Sequence, residues 1–148
     1  MLRGRHEAGI MPFAPEAMTS RWPAMLAYVG TVLVFLVGAA YPWVADWLRP
    51  GPVRPTLDTV LRSAGWAAGP TAALLLCIRW AGTHRLATWT ALLGTLLILV
   101  LGLALYAAAL RPDARPSAPL VAFSFVPLRQ LAGAAVVGWA VWLARHTR

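Results

Sequence analysis

The sequence predicts an all-α integral membrane protein, a four-helix transmembrane bundle with short loops and a flexible N-terminal tail. Of its 148 residues, 59% are hydrophobic and only 12% are charged, whereas soluble domains are about 45–50% apolar and about 25% charged. A soluble chain this short buries only about two-thirds of its surface, so it could not hide so many apolar side chains from water. The apolar runs are also long enough to cross a bilayer, which takes about 20 helical residues.

Four apolar runs predict the spanning helices, at about residues 24–45, 57–80, 86–110 and 120–144. Residues 1–22 are polar, contain proline and lack a helical period, which predicts the flexible tail; residues 23–148 form the membrane domain. Proline-rich or polar segments separate the runs and predict the connections. No internal repeat is evident between the first two spans and the last two.

The start of the chain allows other interpretations. Met18 is a second candidate for the first residue. A signal peptide cleaved after the small residues near position 40 is an alternative for the first apolar run, although that run is long for one. The rest of the predicted topology does not depend on this choice.

The second span carries two local patterns. Thr56 precedes it as a predicted N-cap, and Asp58 and Arg62 are four residues apart, so that they can form an ion pair on one helical face. Gly65 and Gly69 have the spacing that lets two helices approach closely in lipid. We interpret these glycines as a helix-packing surface, within this chain or toward another one.

The distribution of arginine predicts the orientation. All 13 basic residues are arginine, and the net charge is +8. Because they lie mostly between the apolar runs, they indicate contact with headgroups or cytoplasm, not nucleic acid. The side that holds both termini carries seven of them: Arg3, Arg5, Arg21, Arg79, Arg85, Arg145 and Arg148. The other side has four or five, so the positive-inside rule places both termini in the cytoplasm. Arginine without lysine, together with abundant alanine, is typical of GC-rich bacterial genes and favours a bacterial inner membrane.

Arg129 is an exception because it falls inside the fourth apolar run. A central arginine costs about 2.5–3.5 kcal/mol on insertion, so its position needs an explanation. In one interpretation Pro127 breaks the helix, which then starts near Leu128, and Arg129 extends to the outer headgroups. In a second, Arg129 is buried between helices and pairs with Asp58, with Gln130 joining. In a third, it faces a cavity with Gln130 and Arg62 nearby and binds an anionic group.

Several kinds of chemistry lack their residues. No apolar span contains a central carboxylate or a histidine, and the single cysteine, Cys77, cannot form an internal disulfide. No nucleotide-binding, hydrolase or metal-protease motif is present. The sequence therefore predicts no catalytic residue, no metal and no cofactor.

These observations predict a small, non-enzymatic inner-membrane protein that packs with partner membrane subunits or with itself. One alternative is a component of an oligomeric channel or transporter, in which Arg129 faces an anion-accepting cavity. The weakest alternative is an enzyme acting on lipid headgroups, because Asp58 and His84, its only candidate bases, fall on opposite sides of the membrane.

Overall fold

The computed structural model describes residues 21–48, 56–115 and 118–147, with four α-helices and no strand in those ranges. The helices are α1 (Arg21–Leu48), α2 (Leu57–Ala81), α3 (Arg85–Ala109) and α4 (Ala118–His146). The predicted all-helical architecture with four helices is confirmed. Each helix is long and apolar enough to cross a membrane.

The helix ends differ somewhat from the predicted bounds. Arg21 and Trp22, assigned to the tail by the sequence, are the first residues of α1, while residues 1–20 lie outside the described part of the chain. Helix α4 begins and ends two residues beyond the predicted 120–144. Between α2 and α3 only three residues intervene, and Gly82 among them has a φ of 59°, a left-handed conformation that glycine adopts without strain.

A local hydrogen bond marks the beginning of α2, and α4 contains a proline in its interior. The Thr59 amide donates to the Thr56 hydroxyl over 3.3 Å, which confirms Thr56 as the N-cap. Helix α4 runs unbroken through Pro127, so the predicted helix start near Leu128 is wrong. In spanning helices, neighbouring groups can compensate for the hydrogen bond that proline removes.

The helices pack as two antiparallel hairpins, α1–α2 and α3–α4. Helix α1 packs chiefly on α2 and α3, α4 packs chiefly on α3 and α2, and the contact between α1 and α4 is the smallest. One core cluster includes Val34, Leu74, Ile98 and Val141, each at most 5% exposed. A second cluster lies closer to the end of α1 and is built around Tyr41 and Tyr106.

The first helices of the two hairpins, α1 and α3, share a short sequence repeat. The stretch AYVGTVLVFLVG at residues 27–38 of α1 matches ALLGTLLILVLG at residues 91–102 of α3, with five of twelve positions identical and apolar residues at the others. Thr31 and Thr95 occupy equivalent positions, are fully buried, and each donate over 2.8 Å to the carbonyl four residues earlier. The expectation of no internal repeat is therefore wrong for α1 and α3.

Candidate functional site

One layer near the middle of the bundle brings together small residues and a glutamine from all four helices. A Cβ added to Gly38 of α1 would lie 2.9 Å from the Cβ of Ala67 of α2. A Cβ added to Gly102 of α3 would contact the amide nitrogen of Gln130 of α4 and lie 3.4 Å from its Cδ. Gly30 lies against Thr95, and Tyr41 stacks on Tyr106, so α1 and α3 run side by side with residue numbers that differ by 65 in both pairs. Gly38 and Gly102 therefore lie at nearly the same level, and we call these four residues the central layer.

Gln130 is the polar member of the central layer. It is only 7% exposed. Gly102 leaves room for the amide because it has no side chain. The predicted interaction of Gln130 with a buried Arg129 is not formed, since the two side chains leave α4 about 100° apart.

Two stacked tyrosines lie next to the central layer. The rings of Tyr41 and Tyr106 have centroids 4.1 Å apart and an interplanar angle of 28°. The Tyr41 hydroxyl donates to the carbonyl of Pro119 over 3.4 Å, which ties α1 to the beginning of α4. The Tyr106 hydroxyl would lie 3.9 Å from a Cβ at Gly38. This packing fills the interior beside the layer with aromatic side chains.

Arg129 lies on the outer surface of the bundle. It is exposed, and no carboxylate in the described chain forms an ion pair with it. Its neighbours on the same face of α4 are Phe125, Ala132 and Val136, all exposed. The interpretation of Arg129 as buried and paired with Asp58 is therefore wrong, whereas the binding of an anionic group by Arg129 stays a prediction.

Asp58 and Arg62 form the ion pair that their spacing predicts. The Arg62 Nε lies 2.9 Å from the Asp58 Oδ2, and both side chains are mostly exposed. Asp58 is nine residues from Ala67 of the central layer, or about 14 Å along α2. The four predicted polar residues thus form no single cluster: Asp58 and Arg62 lie near the start of α2, Gln130 inside, and Arg129 outside.

Gly65 and Gly69 face outward. Both are exposed, and a Cβ added to either would meet no atom within 4 Å. They therefore do not pack two helices together within this chain, and their interpretation as a contact to another chain stays a prediction. The close helix contacts instead use Gly38, Gly94 and Gly102, where an added Cβ would lie under 3.0 Å from a neighbouring side chain.

An apolar groove follows the junction of α2 and α4 on the outer surface. Its volume is about 460 Å³, and its lining includes Leu76 and Leu131, which are 67% and 43% exposed. The other lining residues are Ala73, Cys77, Trp80, Ala134, Ala135 and Gly138. The groove offers apolar contacts to whatever surrounds the bundle.

Sequence reasoning missed Gly102 and Gly94 as sites of close helix approach, although the repeat carried a signal for them. Glycine recurs eight residues apart in both α1 and α3, at positions 30 and 38 and at 94 and 102. Two such glycines lie about 80° apart around the helix, because eight residues complete about 2.2 turns, so both fall within one broad inward face.

No protein-family model matches the chain, and neither a curated protein nor a solved structure matches it. In its described ranges the chain is all-helical, and its four helices are long and apolar enough to span a membrane. In the described ranges no group of three or more histidine, cysteine or acidic residues could hold a metal ion. Gly65, Gly69 and Arg129 lie on the outer surface of the bundle, and its internal packing does not explain them.

Proposed function

We propose that this chain is a small, non-enzymatic integral membrane protein whose role is to pack with partner membrane subunits or with copies of itself. The observation that carries the proposal is the open backbone of Gly65 and Gly69 on the exposed face of α2. Small residues four apart on an outward face allow a second helix to approach closely in lipid. In the described ranges, no helix packs on that face.

The composition of the outer surface supports the membrane placement. Large apolar side chains on every helix point outward, among them Leu36, Leu76, Leu93 and Val136, which are 53–67% exposed. Monomeric soluble proteins rarely expose a continuous apolar surface above about 600 Å², so lipid is the solvent that fits this bundle. The arginine asymmetry supports cytoplasmic termini, and the composition, with arginine in place of lysine, supports the bacterial inner membrane as the location.

The two alternatives have less support from the geometry. A channel or transporter component would have to form its pore between chains, because Arg129 faces outward and the central layer is filled by Gln130. A headgroup enzyme would need Asp58 and His84 in one site. Asp58 lies in the first turn of α2 and His84 just beyond its last residue, and the 25 residues of that helix span about 38 Å.

Replacing Gly65 and Gly69 together with leucine is expected to abolish assembly while leaving the bundle folded. Both positions are open within the chain, so leucine disturbs no internal contact but keeps a partner helix away. Native mass spectrometry of the chain purified from its host in mild detergent should show a defined complex for the wild type and the lone chain for the double variant.

The matched control is the pair Ala104→Leu and Ala108→Leu, two exposed positions of α3 with the same spacing. This control should keep the complex. A wild-type chain that is monomeric in mild detergent and in native nanodiscs would contradict the proposal, as would equal losses in the two double variants.

Cysteine accessibility in whole cells is expected to show the orientation. Cys77 is buried and should react little with a thiol reagent, so the labelling of one introduced cysteine shows on which side of the membrane that cysteine lies. A membrane-impermeant maleimide should label Asp113→Cys, in the α3–α4 connection, from outside. It should label Thr147→Cys, after α4, only when the inner membrane is opened. The reverse pattern would invert the proposed topology.

A further inference from the structure

We propose that Arg129 is the contact point for a partner transmembrane helix that carries an aspartate or glutamate at mid-depth. The proposal rests on the proposed function, because it names the chemistry of one partner in the assembly. Phe125, Arg129, Ala132 and Val136 recur at helical spacing and form one exposed stripe of α4. An apolar stripe with one central cation is complementary to a helix with one central carboxylate.

Arg129 lies deep between the ends of the helices. It precedes Gln130, whose central layer includes Gly38 of α1. The midpoint of Arg21–Leu48 falls between residues 34 and 35, so the layer lies only about 5 Å outward from the middle of α1. With a hydrocarbon core of about 30 Å centred on the bundle, Arg129 lies about 8–10 Å inside its outer boundary.

A second copy of this chain could not supply the carboxylate at this depth. In the described chain, the acidic residues of the helices are Asp46 and Asp58, eight and nine residues outward from Gly38 and Ala67. That is about 12–14 Å along the helix axes. Arg129 lies one residue outward of the layer, so these carboxylates lie about 10–12 Å farther outward than Arg129 itself. An extended arginine reaches about 6–7 Å from its Cα, an aspartate about 3 Å, and the N–O contact of an ion pair adds about 3 Å. A copy at the same level would therefore have to extend both side chains fully along the helix axis, which a carboxylate at the depth of Arg129 does not require.

A lipid phosphate is a less favourable counter-ion. The headgroup zone begins at the hydrocarbon boundary and extends about 5–7 Å beyond it, so the phosphate is farther from Arg129 than an extended side chain reaches. The bilayer would have to thin locally to close the gap. A carboxylate on a helix packed against α4 needs no such deformation.

The fold itself does not require a cation at this position. The central layer pairs Ala67 with Gly38, and Gln130 with Gly102, so residues of α2 and α4 whose numbers differ by 63 (130 − 67) lie at the same level. Arg129 then corresponds in depth to Trp66, which is exposed and uncharged. One hairpin thus has an uncharged residue at the depth where the other has arginine, so the packing of the bundle does not require a cation there.

Photocrosslinking in the host membrane tests the proposal on the full chain. A photoreactive amino acid replaces Ala132, one turn from Arg129 on the same stripe. The control site is Leu36, which is 53% exposed on α1 and, like Ala132, two residues inward of the central layer. We expect the Ala132 site to yield an adduct with a different membrane chain, whose linked peptide holds an Asp or Glu within one helical turn of the attachment point.

Substitution of Arg129 then shows whether the charge holds that partner. Arg129→Leu should lower the yield of the adduct about tenfold or more, because the partner's carboxylate loses its counter-ion. Arg129→Lys keeps the charge and should retain most of the yield. Removal of an intramembrane charge does not hinder insertion, and unchanged protection of the buried Cys77 from a thiol reagent verifies that the variant is folded.

Four outcomes would overturn the inference: phospholipid adducts alone at the Ala132 site, an adduct with a second copy of this chain, a linked peptide without an acidic residue, or a yield that Arg129→Leu leaves unchanged. Native mass spectrometry distinguishes failure of the proposed packing function from failure of the role of Arg129. A monomeric chain would contradict both, whereas an intact complex together with any of these outcomes would contradict only the role of Arg129.

Discussion

Leu74→Ala is expected to destabilise the bundle by about 2–5 kcal/mol, the range for large-to-small changes in a packed core. Leu74 is fully buried in the core cluster that joins the four helices. Alanine removes its contacts and leaves a cavity that rigid neighbouring helices cannot fill. Cys77 is 7% exposed and is the single cysteine of the chain, so the rate at which a thiol reagent labels it with increasing denaturant reports unfolding directly.

Leu76→Ala is the matched control for this substitution. Leu76 is on the same helix, two residues away, but is 67% exposed. Its truncation removes no contact in the core and should change stability by less than about 0.5 kcal/mol. If the two variants lose equal stability in detergent, the inward face of α2 is not the one that the structure assigns.

The number and type of the helices could be predicted because span length and charge are strong signals. An apolar run of more than 20 residues has few alternatives to a helix in lipid, since every backbone group must be paired internally. The local signals in α2 were also reliable. Thr56 caps the helix, and Asp58 and Arg62 pair, because both features depend only on neighbouring residues.

The inward face of each helix could not be predicted in the same way. In a soluble helix, polar residues mark the outside, but here the outside is as apolar as the inside. Gly65 and Gly69 therefore gave no indication of direction, and the structure places them outward. The adjacent residues Arg129 and Gln130 are both polar, yet Arg129 is exposed and Gln130 is buried. Polarity therefore does not predict the inward face of α4 either.

The effect of Pro127 and the repeat were missed for related physical reasons. In lipid a helix has no alternative backbone structure, so the missing N–H of Pro127 does not end α4. The repeat between α1 and α3 is hidden because most of its aligned positions are apolar in any spanning helix. Its informative positions are the small and hydroxyl residues at close contacts, such as Gly38 and Gly102 or Thr31 and Thr95.

Gly94→Ala is expected to destabilise the bundle by about 1–3 kcal/mol, the usual effect of overpacking. A Cβ at this position would contact both methyl groups of Val137, lying 2.8 Å from one of them, and would lie 3.2 Å from its Cβ. Valine is branched at Cβ and has restricted rotamers in a helix, so it cannot turn aside. Helices α3 and α4 would have to separate, which the same Cys77 labelling assay should detect.

Val137→Ala should partly rescue Gly94→Ala, because it removes the two methyl groups that cause the clash. The double variant is expected to be more stable than the sum of the two single effects by about 1 kcal/mol or more, the sign of direct contact in a double-mutant cycle. Gly65→Ala is the open control, with no atom within 4 Å of the added Cβ, and should cost nothing in the monomer. Additive effects of Gly94→Ala and Val137→Ala would show that α3 and α4 do not meet at these residues, and would also displace Gly102 from Gln130, because both contacts belong to one antiparallel register.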